Sequence, residues 1–224
     1  MNLEDVKTIE DLFDLWRRER PDYTYFSNDG ILVEGLWKQA NPKIAFLLKE
    51  SNDSFCDIRG SGWGPNGNSP KFWRNLNQWT YITTECLNNR ECILDKTIAE
   101  KEKKLEAVAY INIKKKAECR SDYESSDPDI HNYIDRDWEF LNRQIEIIAP
   151  DVLFCCGTFR YLERKIKCEQ ISERIYYFRN LLVVDFYHPS SAFLSYESNF
   201  KLLHEMFRLL PEKYKQRSQT AIQP

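Results

Sequence analysis

Asn41-Pro42-Lys43-Ile44-Ala45-Phe46-Leu47-Leu48 sets a turn-forming Asn-Pro pair in front of a continuous apolar run, and the polar Lys49-Glu50-Ser51-Asn52-Asp53 follows at once. A short run without polar alternation suits a strand buried on both faces, as when helices cover both sides of a parallel sheet. Three other runs share this pattern: Ala107-Val108-Ala109-Tyr110-Ile111, Val152-Leu153-Phe154-Cys155-Cys156 and Leu181-Leu182-Val183-Val184-Asp185-Phe186. Between and around them the apolar spacing turns helical. From Thr8 to Arg20, the residues Ile9, Leu12, Phe13, Leu15 and Trp16 form one stripe, and Thr8 with Asp11 resembles a capping box. Helices are also expected over residues 70–79, with Ser69 as cap and Pro70 in the first turn, and over 91–105, 129–149, 158–167 and 195–210. Asn28-Asp29-Gly30 reads as a turn, and residues 31–37 as a short strand or an irregular approach to the core.

Strands alternating with helices mean parallel βα units, so the expected fold is α/β: a three-layer α/β/α sandwich on a central four-stranded parallel sheet. The 224 residues suit one domain spanning 1–224, with an N-terminal helix over 8–20 and a frayed polar tail over 212–224. With 42% hydrophobic, 14% aromatic and 30% charged residues, the composition is that of a folded chain and excludes a disordered one. No stretch approaches the roughly 18 apolar residues of a membrane span. The seven cysteines are odd in number and contain no C-x-x-C pair, and the N-terminus reads as a charged amphipathic helix and not as a signal peptide. Reduced thiols in a cytoplasmic protein are expected, with no metal site. Cys155 and Cys156, adjacent in a buried strand, point to opposite faces and read as small core residues.

The formal charge of -3 carries no global positive field for nucleic acid. A local basic surface remains open to Lys114, Lys115 and Lys116, or to Arg160, Arg164, Lys165 and Lys167, although a solvated face is the simpler reading of each group alone.

In a parallel sheet the functional loops follow the carboxyl ends of the strands. After the first run come Lys49 to Asp53 and then Gly60, Gly62, Gly64 and Gly67 around Trp63 and Pro65, four of the chain's seven glycines. A close-approach loop carrying carboxylates reads as a ligand loop. After the second run comes Asn112, which taken alone is a common turn former. After the fourth comes His188-Pro189-Ser190-Ser191; of the three histidines, His131 and His204 belong to helices, and His188 is the one placed for chemistry.

Taken together, these loops resemble the motifs of the uracil-DNA glycosylase superfamily. The resemblance runs from about Ile44 to Phe207 and includes Ala149-Pro150-Asp151-Val152 leading to Gly157, which is similar to the family's third strand and glycine turn. It implies a hydrolase that cleaves the N-glycosidic bond of uracil or another altered base in DNA, with no cofactor. The partner would be DNA or a nucleobase or nucleotide ligand, and a monomer is favoured. The sequence departs from the family at Lys49-Glu50-Ser51-Asn52, where a Gly-Gln-Asp-Pro or Gly-Glu-Ala-Pro type of motif is usual, and at Ser191, where proline is common. No match to the iron-sulfur families' four cysteines is evident.

Such cleavage builds positive charge on the sugar and negative charge on the departing base, so it needs a carboxylate near the sugar and donors aimed at the base. The resemblance assigns the carboxylate to Glu50, with Asp53 second, and the donor to His188. It gives Asn112 the base edge, where an amide offers both donor and acceptor, with Ser51 and Asn52 beside it. A base taken out of the stack needs an aromatic face, Trp63 or Phe55, and a wedge, Phe193 or Leu194. Ser190 and Ser191, with Lys114 and Lys115, would contact phosphate. The acidic balance and the altered first motif point instead to an alternative, a non-catalytic or repurposed binding module on the same fold.

Overall fold

In the computed structural model the described residues are 2–51, 59, 70–94, 104–117, 124–193 and 195–215. They form the strands β1 (Gly30–Ile31), β2 (Ile44–Glu50), β3 (Ala109–Lys114), β4 (Val152–Cys156), β5 (Glu169–Ser172), β6 (Ile175–Phe178) and β7 (Leu181–Phe186). The helices are α1 (Ile9–Glu19), α2 (Glu34–Gln39), α3 (Pro70–Leu87), α4 (Asp127–Ile148), α5 (Phe159–Leu162), α6 (Tyr196–Arg208) and α7 (Glu212–Lys215). The chain is α/β, and the sheet order is β1-β3-β2-β4-β7-β6-β5.

The four apolar runs supply the middle of the sheet, where β3, β2, β4 and β7 pair in parallel. The expected four-stranded parallel sheet is corrected to a seven-stranded mixed one, because β1 adds antiparallel to β3 while β6 and β5 add antiparallel beyond β7. The edge strands β1 and β5 are short or polar, and a strand at the rim does not have to be covered on both faces, so neither carries a continuous apolar run to mark it; β6, between β7 and β5, is apolar but only four residues long.

Alternation along the central strands divides the core. Ile44, Phe46 and Leu48 face a layer containing Trp73, Leu76 and Trp79 of α3 and Phe200, Leu203 and Phe207 of α6. Ala45 and Leu47 face Leu12, Phe13 and Trp16 of α1 and Ile130, Ile134 and Leu141 of α4. Two residues apart in a strand share a face, and neighbours do not. Helices therefore cover both sides of the sheet. None of the described helices is long and apolar enough to cross a membrane.

Local signals fixed some boundaries and missed others. The Thr8 hydroxyl oxygen accepts from the Asp11 N–H and starts α1. A reciprocal capping box between Ser126 and Asp129 starts α4 two residues ahead of the expected position. The helix over 70–79 continues to Leu87 and closes with Asn89 left-handed at φ 53°, the Arg90 N–H reaching Glu85 O at 2.8 Å and the Asn89 N–H reaching Cys86 O at 3.2 Å. This double closure of the last turn reverses the chain. Consequently residues 91–94 are irregular, and only Lys104–Ala107, a 3-10 turn, is helical among the described part of the helix expected over 91–105. Residues 31–37 hold the end of β1 and most of α2, the 158–167 helix shrinks to α5, and the tail is ordered as α7 through Lys215, with Tyr214 buried.

Ala149 caps α4 with φ 50°, a left-handed conformation that an alanine Cβ opposes. Ala149→Gly is expected to raise stability by about 0.5 kcal/mol, relief of strain exceeding the extra freedom of the unfolded glycine. The check is the urea midpoint, which should rise at unchanged slope.

Candidate functional site

The carboxyl ends of the parallel strands lie side by side, with Leu48 in register with Asn112 and Glu50 with Lys114. Gly157, just past β4 at φ 72°, donates its N–H to Phe186 O at 2.7 Å and so ties the end of β4 to the end of β7. A side chain there would meet His188 only at ordinary contact distance, so it is the backbone angle that calls for glycine.

The loop after β7 is held by α3. The Asn75 amide donates to Pro189 O at 2.6 Å, and the Phe72 ring lies 5.9 Å from the His188 ring. The Ser190 N–H donates to His188 Nδ1 at 3.2 Å, so a neutral ring carries its hydrogen on Nε2. His188 is exposed to solvent, yet the density of protein around its ring lowers its pKa from the ordinary histidine value. Burial of the ring is the main cause; the Lys49 charge adds to it and Glu124 opposes it. Neutral His188 is thus a donor at Nε2.

Asn112 is 3% exposed, and its carboxamide oxygen is buried with no hydrogen-bond partner among the described residues. An orphaned buried acceptor costs about 1–3 kcal/mol, so its presence asks for an explanation. Asn112 shares a face of β3 with Tyr110, whose ring meets Trp73 of α3 at 5.9 Å. It therefore lies on the α3 side of the sheet, the side on which His188 packs. Its main chain is fixed on both flanks, the N–H donating to Asp29 Oδ2 at 2.8 Å and the carbonyl accepting from Lys115 Nζ at 2.9 Å.

Glu50 does not stand free beneath a substrate. Its Oε1 accepts from the Ser125 N–H at 2.7 Å, and its Oε2 accepts from the Ser125 hydroxyl at 2.7 Å and from Lys114 Nζ at 2.9 Å. The two side chains are 4% and 1% exposed. A carboxylate with both oxygens taken is an anion built into the fold and is poorly placed to accept a proton from water.

Lys114 and Lys115 are corrected from a phosphate-contacting surface to buried cations. The reason is that β3 runs on to Lys114, three residues beyond the apolar run that marked it. Lys115 Nζ lies 2.6 and 2.7 Å from the two oxygens of Asp29 and is flanked by the rings of Phe13 and Trp16. Burial lowers the Lys115 pKa, and Asp29 opposes that shift. Gln144 Nε2 also donates to Asp29, at 2.7 Å. In the second basic stretch, Arg160 pairs with Asp127 at 2.7 Å, Lys165 pairs with Asp135 at 2.6 Å, and Arg164 reaches His131 Nδ1 at 2.9 Å.

Ser190 is exposed and Ser191 half-buried, with its hydroxyl oxygen accepting from the Phe193 N–H at 3.3 Å. Phe193 is 85% exposed and stacks on Tyr187 at 6.1 Å, a position open to an insertion role. Ser51 is half-buried at the end of β2. Asn52, Asp53, Phe55, Trp63, Leu194 and the four loop glycines lie outside the described residues. The structure thus brings Asn112 and the His188 loop to the α3 side of one sheet edge and commits Glu50, Lys114 and Lys115 to internal contacts.

Sequence reasoning missed Asp29, Ser125 and Gln144. Asp29 sat in a run whose only legible signal was a turn, and a buried lysine gives no sign of the acid it will find. Among the described residues, no group of three or more His, Cys, Asp or Glu side chains is arranged to hold a metal ion. No family model matches the chain, and no curated protein matches it in sequence, so the functional reading rests on the site itself.

Proposed function

We propose that this chain is a glycosylase-like hydrolase of the uracil-DNA glycosylase type, cleaving the N-glycosidic bond of uracil or another altered base in DNA. The observation that carries the reading is the buried, unpartnered carboxamide oxygen of Asn112 on the same side of the sheet edge as His188. A base imide N–H would satisfy that oxygen, and the amide nitrogen of Asn112 would donate to the neighbouring base carbonyl. Negative charge developing on the base would be met by His188 Nε2–H, a donor already oriented by the Ser190 N–H. The parallel strands at the centre of the sheet and the helices on both faces support the resemblance to this superfamily. A reducing, cytoplasmic compartment suits its seven cysteines, odd in number and without a C-x-x-C pair.

The internal pairing of Glu50 favours a second reading, a base- or nucleotide-binding module without hydrolysis. Incubation with single- and double-stranded DNA carrying uracil, hypoxanthine or xanthine separates the two. The hydrolase releases free base and leaves alkali-labile abasic sites, whereas the module binds one of these DNAs and releases nothing. Neither binding nor release from any of them would end both readings.

Glu50→Gln is expected to leave base release in the folded protein within about tenfold of the wild type while lowering stability by about 2 kcal/mol, through loss of charge-assisted hydrogen bonds. The check is single-turnover release alongside urea unfolding. A much larger loss of rate at unchanged stability would return Glu50 to the chemistry.

A further inference from the structure

The loop that carries His188 also presents an aromatic ring to solvent. Two buried amides one turn apart on α3 pin this segment at its ends: Asn75 Nδ2 donates to Pro189 O at 2.6 Å, and Gln78 Nε2 donates to Tyr196 O at 3.0 Å. Between these points the Ser191 N–H reaches His188 O at 2.8 Å, and the Ser191 hydroxyl oxygen accepts from the Phe193 N–H at 3.3 Å. The Phe193 ring lies nearly parallel to that of Tyr187, with 17° between the planes and 6.1 Å between the centroids, and is still 85% exposed. Tyr187 is braced in turn. The Arg174 guanidinium sits 4.6 Å over its ring and donates to its hydroxyl oxygen at 3.1 Å, while Arg174 Nε donates to Asp185 O at 2.8 Å. A stray phenylalanine on a surface needs no explanation, whereas a ring held out on a pinned loop, beside the candidate donor, does. We propose that Phe193, backed by Tyr187, is a stacking platform for an unpaired nucleobase adjoining the one bound at Asn112 and His188, so that the protein takes single-stranded DNA in preference to duplex.

This platform extends the proposed base site and rests on that reading of it. An unpaired base offers a whole flat face to a ring, whereas in a duplex both faces are covered by the neighbouring pairs. Stacking of this kind tolerates any sequence, because every base has such a face. Charge points the same way. The chain carries a net -3, and Lys114 and Lys115, the lysines expected on phosphate, are buried, so attraction to the phosphate backbone is weak and the bases have to supply much of the affinity. A ring already fixed by its loop supplies it at small cost, since little conformational freedom remains to be lost on binding.

The test measures binding of the full chain to a fluorescent thymidine oligonucleotide of about 12 nucleotides, alone and annealed to its complement, with no altered base in either. The single strand should bind the more tightly. Phe193→Ala should weaken it about tenfold or more, the usual loss for one base stacked on an aromatic ring. Phe193→Trp should keep the affinity, and Phe193→Leu, which retains apolar bulk without a flat face, should not. Replacing single bases by abasic spacers should cost the wild type a similar factor at one position and cost Phe193→Ala nothing there. The ring stands in solvent, so none of these substitutions touches the core. Equal or tighter binding of the duplex, unchanged affinity in Phe193→Ala or Phe193→Leu, or no binding of either oligonucleotide would each overturn the proposal. Single-strand binding that depends on Phe193, without base release from uracil-containing DNA, would uphold the platform and remove the hydrolase. Base release from single strands at the wild-type rate in Phe193→Ala would do the reverse.

Discussion

Asp29→Ala is expected to lower the stability of the protein by about 3–5 kcal/mol, the cost of leaving a buried charge without its partner. Lys115 is fully buried, and among the described residues the groups within hydrogen-bond reach of its ammonium are the Asp29 carboxylate and the carbonyl of Asn112. Removing Asp29 also strands the Asn112 N–H and the Gln144 amide, both of which donate to it. Against a typical total of about 5–15 kcal/mol, such a loss leaves a marginal fold. Urea unfolding reads it directly, and Lys115→Met in the same background should recover a large part, because the destabilising group is then gone. A loss under about 1 kcal/mol would mean that the ammonium reaches water, contrary to its buried position.

The dependence on pH gives the same experiment a second readout. Burial already lowers the Lys115 pKa from the ordinary 10.5, and Asp29 acts in the opposite direction, so deleting Asp29 lowers the pKa further. Between the folded value and the ordinary lysine value, the unfolded chain binds a proton that the folded chain does not, and stability rises with pH across that window. Asp29→Ala should therefore regain stability as the pH is raised from neutrality toward the ordinary lysine value. Asp29→Ala with Lys115→Met should lose that slope.

What the sequence made legible was the part of the molecule whose pattern is local. Ile44 to Leu48, Val152 to Cys156 and Leu181 to Phe186 declared themselves because strands covered on both faces need apolar groups at every position. Thr8 and Asp11 resemble a capping box within four residues, and α1 begins there, whereas the equally local box of Ser126 and Asp129 went unread. The hairpin of β5 and β6 escaped because Glu169-Gln170-Ile171-Ser172 sits at the sheet edge, largely in solvent, with no inward pattern. Asn112 and His188 were singled out as candidates from their places after apolar runs; Asn112 lies within β3, and both meet the α3 side of the sheet. Lys114 and Lys115 were misread for a reason of range. Their partners Glu50 and Asp29 are 64 and 86 residues away in the chain, and a charge paired across that distance looks like a solvated one until the fold is known.

His188→Ala is expected to slow base release by about 10²–10³-fold, the usual cost of deleting one pre-oriented donor to a developing anion. The loss should fall on kcat, since the bond from Nε2–H strengthens only as charge arrives on the departing base. The pH profile tests the protonation state. With the pKa lowered beneath the ordinary 6.5, the ring is neutral at physiological pH, and its Nδ1 can accept from the Ser190 N–H. Protonation would put a second hydrogen on Nδ1, opposite that N–H, and dismantle the loop. Base release should therefore stay level as the pH falls through the ordinary histidine value and decline only below it. Stability follows the same sign, because a depressed histidine pKa contributes stability that is present above the ordinary value and lost as pH falls through the folded one. A rate that climbed with acidity near the ordinary value would require the imidazolium as donor, and equal rates for His188→Ala and the wild type would remove His188 from the reaction.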